Sequence, residues 1–312
     1  MKLAWLFLAP ILLFSCSERS KVSDQRISGL DTIVLISALD GAEQPVIVRK
    51  ATTNSERPLV VGLHTWSTGY SSVEPGLLEL IEEKDWNFIH PHFRGANDHP
   101  KACCNEYVID DIDASIQWAL DSLNVSADSI FVLGASGGGY ATLCMFLRSK
   151  QRINSFASYV PISDLVSWYD HCDSSGLVYA DEIHACTGSS SLFDIEKAKA
   201  RSPLHWIPDS LTIFSKLTIY TGINDGHRGP VPIDQSIDFY NELIASLGAT
   251  DSFRFVSSEE KQRLMKRIPL ESIPIWSVGD HQVIFEKRYE GIRIIIFDGG
   301  HEMIMPGLLD RL

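Results

Sequence analysis

The sequence predicts an α/β protein: a mostly parallel sheet covered by helices on both faces, with a small inserted lid. Three observations carry that expectation. Short apolar runs of strand length alternate with segments whose apolar residues recur at helical spacing. One such strand, residues 130–133, ends in Gly134-Ala135-Ser136-Gly137-Gly138 and passes straight into a helical run at 140–147. The chain has 312 residues, 45% of them hydrophobic and 21% charged, which suffices for one large core.

Residues 1–16 read as a targeting segment. Lys2 supplies the basic start, and the apolar stretch 3–14 is too short for a permanent membrane span. It ends Leu13-Phe14-Ser15-Cys16, which resembles the bacterial lipoprotein processing site, so Cys16 is expected to carry lipid. The expected location is the bacterial cell envelope, and Ser17 after the cysteine favours the outer membrane. Residues 17–30 are a polar tether, and residues 31–312 form the folded domain.

Residues 32–39 and 45–50 are β-rich runs joined at Asp40-Gly41, an expected hairpin at a sheet edge. Residues 59–63 are a buried strand leading into His64-Thr65-Trp66-Ser67. An amphipathic helix follows at 72–84, then a strand at 86–89. Val108, Ile109, Ile112, Ile116, Ala119 and Leu120 line one face of a helix over 106–123. Strands are expected at 129–134, 155–160, 213–220 and 292–297, and helices at 137–148, 233–247 and 303–312. Residues 161–211 break the rhythm and are rich in aromatic and polar side chains, so they read as a lid; 257–290 is a second insertion of unassigned form.

The net charge of -13 disfavours nucleic acid as a partner, because phosphates would be repelled. With Cys16 lipidated, five cysteines remain. An odd number leaves at least one free thiol in an oxidising compartment. Cys144, on the apolar helix after the serine, is the expected free one; Cys103 or Cys104 is expected to pair with Cys172 or Cys186. No C-x-x-C or H-E-x-x-H pattern is present, so no metal is expected.

The chemistry centres on Ser136. A serine between glycines at a strand-to-helix turn has its hydroxyl lifted above the sheet edge, and the next N–H begins a helix. Ser136 is the expected nucleophile and Gly137 N–H an expected oxyanion donor. A serine needs a base and a group to orient that base. His301, in the loop Asp298-Gly299-Gly300-His301 after a late strand, is the expected base. Asp225, in Asn224-Asp225-Gly226 after the strand 213–220, is the expected acid, with Asp298 as runner-up. The second oxyanion donor is expected from Trp66, with Thr65 as the alternative; His64 is expected to brace that loop. Arg94, Asn97, Asp98 and His99 follow a strand end on the same side and are candidates for holding a carboxylate or sugar hydroxyls. Trp168, Tyr169 and Tyr179 in the lid are candidates for stacking on a sugar or lining an acyl pocket.

Gly134-Ala135-Ser136-Gly137-Gly138-Gly139-Tyr140, Phe93-Arg94-Gly95, Asp225 with Val231-Pro232, and Gly300-His301 resemble the catalytic domain of the prolyl oligopeptidase type of α/β-hydrolase, peptidase family S9. The resemblance runs from Pro58 to the C-terminus. It implies the triad Ser136, Asp225 and His301 and an acyl-enzyme, without metal or cofactor. Two departures stand out. Gly137 replaces the family's usual aromatic residue, and too few residues precede the hydrolase for the family's N-terminal β-propeller. The same domain also resembles acetyl xylan and feruloyl esterases. The expected function is therefore a serine peptidase acting on short peptides, with a carbohydrate esterase acting on acylated glycans as the alternative. An envelope binding protein that keeps the fold without catalysis is the third reading. Recognition of a peptide's free amine would need acidic residues, for which Asp181 and Glu182 in the lid are candidates.

Overall fold

The computed structural model describes residues 29–189, 192–268, 270 and 274–312. The targeting segment, Cys16 and nearly all of the tether therefore lie outside the described residues. The strands are β1 (Leu30–Ile36), β2 (Glu43–Arg49), β3 (Arg57–Leu63), β4 (Asn87–Pro91), β5 (Val125–Ala135), β6 (Ser155–Tyr159), β7 (Lys216–Gly222), β8 (Ser277–Val278), β9 (His281–Tyr289) and β10 (Ile292–Phe297). Their order across the sheet is β1-β2-β4-β3-β5-β6-β7-β10-β9-β8. From β4 to β10 the six central strands are parallel. The hairpin β1–β2 joins one edge antiparallel, as expected. At the other edge the second insertion supplies the antiparallel strands β8 and β9.

The central strands are near-continuous apolar runs because both their faces are covered. One face carries α2 (Glu106–Ser122), α3 (Gly137–Arg148) and α7 (Asp234–Ser246). The spacing read from the sequence is the buried stripe of α2: Val108, Ile109, Ile112, Ile116 and Ala119. The other face carries α1 (Pro75–Lys84), whose Leu77, Leu78 and Ile81 join Leu308 and Leu309 of the C-terminal segment. That segment departs from expectation. Instead of a helix over 303–312 there are turns and one short 3-10 helix, Leu309–Arg311. Pro306 removes a helical donor and Gly307 sits at φ 67°, so the chain cannot continue in register. The expected strand 213–220 also starts later, at Lys216.

The lid contains α4 (Leu165–Ser175), α5 (Tyr179–Cys186) and α6 (Ile195–Lys199), and α8 (Ser258–Met265) lies in the second insertion. Two disulfides tie the structure together: Cys103–Cys186 and Cys104–Cys144. Cys103 thus meets an expected partner, but Cys144 is not the free thiol. It faces Cys104 because α3 packs beneath the strap between β4 and α2. Among the described residues the free cysteine is Cys172, buried in α4, where burial pushes its thiol up to about 12.

Candidate active site

The loops that carry the candidate residues leave the same end of the parallel sheet, following β3, β5, β7 and β10. Ser136 occupies the turn between β5 and α3 at φ 57° and ψ -119°, a backbone conformation held by its surroundings. Its N–H donates to Tyr159 O at 2.9 Å, and its carbonyl accepts from Tyr140 N–H at 2.8 Å, closing the first turn of α3. Ser136 remains partly exposed.

The glycines after the serine are explained by their neighbours. A Cβ on Gly138 would collide with Leu63 O, and one on Gly137 would collide with the backbone nitrogen and Cα of Trp66. The start of α3 is thus pressed directly against the loop that follows β3. This accounts for Gly137 where the resembled family carries an aromatic residue. It also brings together the two N–H groups expected to act as oxyanion donors, Gly137 in the first turn of a helix and Trp66 beside it.

His301 and Asp225 meet across 76 residues. His301 Nδ1 lies 2.7 Å from Asp225 Oδ2, while Asp225 Oδ1 accepts from Gly226 N–H at 3.0 Å and Val231 N–H at 3.2 Å. Asp225 is 2% exposed, so its carboxylate is fixed in orientation and shielded from water. With Nδ1 against the carboxylate, Nε2 is the ring nitrogen left for a hydroxyl proton. Asp225, not Asp298, is the carboxylate on His301 Nδ1; Asp298 is exposed, its N–H and C=O pairing with Gln282 O and His281 Nδ1 of β9.

His64 braces the loop after β3. Its Nδ1 lies 3.0 Å from Thr65 O, its Nε2 lies 2.8 Å from His92 O, and its ring stacks on Phe93 at 3.8 Å. Burial lowers its pKa to about 4 and that of neighbouring His90 to about 3, so both rings are neutral at physiological pH. Sequence reasoning missed the contact made by Ser67, whose hydroxyl donates to Glu182 of α5 at 3.0 Å and fastens the lid to this loop. Asp181 is exposed beside it.

The remaining candidates need correction. Arg94 is buried and its guanidinium is taken up by neighbouring side chains. It pairs with Asp111 at 2.5 Å and Asp40 at 2.8 Å, donates to Ser37 Oγ at 2.5 Å, and lies over the Tyr107 ring. His99 is bound to Arg94 O at 3.0 Å. Asn97 is 4% exposed and holds Trp66 O and Cys103 N–H. Trp168 is 1% exposed; it donates to Pro230 O, packs edge-on against Trp66 and stacks on Tyr179. Tyr169 stacks on Phe193 at 3.7 Å within the lid. These aromatics anchor the lid because each ring already has a partner. Among the described residues no group of three or more His, Cys, Asp or Glu could hold a metal ion.

Comparison with known proteins agrees with the fold. A family model for the alpha/beta hydrolase fold matches residues 58–175. Among solved structures, a puromycin-hydrolyzing peptidase of Mycobacterium tuberculosis is similar at 19% identity and TM-score 0.55, over 70% of this chain and 34% of that one. Prolyl oligopeptidase B from Galerina marginata is similar at 16% identity and TM-score 0.57, over 76% and 35%. A Pyrococcus furiosus esterase is similar at 12% identity and TM-score 0.53, over 87% and 84%. The chain spans about a third of the length of those two peptidases. Topology, the turn at Ser136 and these likenesses agree on one point: the chain has the α/β-hydrolase fold.

Proposed function

We propose that the protein is a serine hydrolase working through an acyl-enzyme, with Ser136 as nucleophile, His301 as base and Asp225 as the group that orients the base. The observation that carries this reading is the His301–Asp225 bond of 2.7 Å at the sheet end where Ser136 stands on its strained turn. His301 takes the Ser136 proton as the hydroxyl attacks a carbonyl. The N–H groups of Gly137 and Trp66 stabilise the oxyanion. His301 then gives its proton to the leaving group, and water releases the acyl group by the same steps in reverse order.

The substrate class we favour is short peptides with a free amine. The support is Glu182, a lid carboxylate held 3.0 Å from the hydroxyl of Ser67, one residue beyond the Trp66 donor. Ester hydrolysis, including acyl groups on glycans, is the second reading. It is supported by the likeness to an esterase along most of both chains. The envelope location and lipid anchor rest on residues 1–16 of the sequence.

The test compares protein lacking residues 1–16 with its Ser136→Ala variant on aminoacyl-p-nitroanilides, p-nitrophenyl acetate and acylated oligosaccharides. Anilide turnover that vanishes in the variant is expected. Turnover of esters alone would select the second reading, and turnover unaffected by the variant would refute both. Incorporation of labelled fatty acid in the full chain, lost in Cys16→Ala, tests the anchor.

A further inference from the structure

The oxyanion donor at Trp66 lies in a loop, where nothing in the local secondary structure fixes its aim. The two peptide groups flanking the Trp66 Cα are nevertheless both clamped. On the N-terminal side, Thr65 O accepts from Thr68 Oγ1 at 3.3 Å, and His64, the residue before it, is braced between Thr65 O at 3.0 Å and His92 O at 2.8 Å, the single proton of its neutral ring serving one of the two. On the C-terminal side, Trp66 O accepts two hydrogen bonds from one residue: Asn97 N–H at 2.9 Å and Asn97 Nδ2 at 3.3 Å. The Asn97 carboxamide is anchored in turn, its Oδ1 accepting from Cys103 N–H at 2.7 Å. Cys103 is bonded to Cys186 of α5, and Arg201 of the lid donates to Ala102 O at 2.8 Å.

We propose that Asn97 is a positioning residue for the hydrolytic reaction: it sets the aim of the Trp66 N–H at the oxyanion by holding the adjoining peptide from a strap bolted to the lid. The proposal rests on the serine-hydrolase reading above. It also reassigns Asn97, which the sequence offered as a substrate contact. Its carboxamide is buried and already engaged at both ends, so it cannot reach a substrate without releasing the loop.

The two roles separate kinetically. A misaimed oxyanion donor lowers kcat and leaves KM nearly unchanged, because the lost interaction exists only in the transition state. A lost substrate contact raises KM. Asn97→Asp keeps the acceptor for Cys103 N–H but replaces the donor facing Trp66 O with an oxygen. Outright removal of an oxyanion donor costs about 10²–10³ in kcat. A donor that is present but misaimed is expected to cost roughly ten- to a hundredfold, with KM on p-nitrophenyl acetate within about twofold. Asn97→Ser, small enough for the site, is measured by the same criteria should the aspartate variant not fold. A folded variant with kcat within about twofold of the parent would overturn the proposal, as would a raised KM at unchanged kcat. Parent protein without Ser136-dependent turnover would overturn the serine-hydrolase reading and this proposal with it.

Discussion

Replacing Gly137 by alanine separates two expectations of opposite sign. Helix propensity alone favours alanine over glycine by up to about 1 kcal/mol, so a helix considered by itself gains stability. The structure reverses that sign. A Cβ at 137 would overlap the Trp66 backbone, whereas ordinary Cβ contacts lie at 3.4 Å or beyond, so α3 and the loop after β3 must part by about 1 Å. Neither side yields easily. Gly138 is seated against Leu63 O one residue on, and Asn97 and His64 hold the Trp66 loop from the other side. Overpacking of this kind costs roughly 1–3 kcal/mol. The displaced pair is also the expected oxyanion hole, and losing one such donor lowers kcat by about 10²–10³. Urea unfolding and turnover of p-nitrophenyl acetate, measured on the parent and Gly137→Ala, read both quantities. An alanine variant as stable as the parent, with kcat within about twofold, would refute the claim that these two backbones touch.

Three further outcomes are expected from contacts elsewhere in the structure. Arg94→Met should destabilise the protein by about 3 kcal/mol or more, because it leaves Asp111 buried without its counter-charge, and a lowered urea midpoint would show it. Removing the Cys103–Cys186 bridge as a double serine variant should cost roughly 4–5 kcal/mol on a chain-entropy account of its 83-residue loop, visible as a lower thermal midpoint. Acid should weaken the fold through His64. The unfolded chain takes its proton near pH 6.5 and the folded protein only near about 4, so stability is full above 6.5 and falls as pH drops through that window. The loss is about 3 kcal/mol by pH 4. His90 extends the decline toward about 3. Urea midpoints from pH 7 to 4 should fall, and less steeply in His64→Gln; a flat profile would contradict burial of neutral rings.

The order of strands and helices was legible because buried parallel strands are apolar throughout and α2 shows its stripe at helical spacing. The edge hairpin was legible from Asp40-Gly41 for a similarly local reason. The last helix was misread because the apolar residues around Pro306 and Gly307 pack as turns against α1, and burial alone does not distinguish the two. Ser136, Asp225 and His301 are legible as candidates because each sits in a glycine-bearing loop directly after a strand, in a fixed order, and the structure brings His301 and Asp225 together. The surroundings could not. Arg94, Asn97 and His99 stand in a loop after β4 at the right end of the sheet, and nothing local tells that Asp111, Trp66 O and Arg94 O will claim them. Trp168 and Tyr169 looked available because aromatic composition does not reveal that Trp66, Tyr179 and Phe193 face them. The disulfide partners of Cys103 and Cys104 were likewise hidden, since pairing depends on where α3 and α5 dock.

In the proposed mechanism Ser136 is made nucleophilic by the His301–Asp225 pair. Reaction of the purified protein with a fluorophosphonate, followed by mass spectrometry of its peptides, tests this most directly. One adduct is expected, on Ser136, forming far more slowly in His301→Ala and in Asp225→Asn. Absence of any adduct, an adduct on another residue, or labelling of Ser136 at the parent's rate in the His301 variant would contradict it.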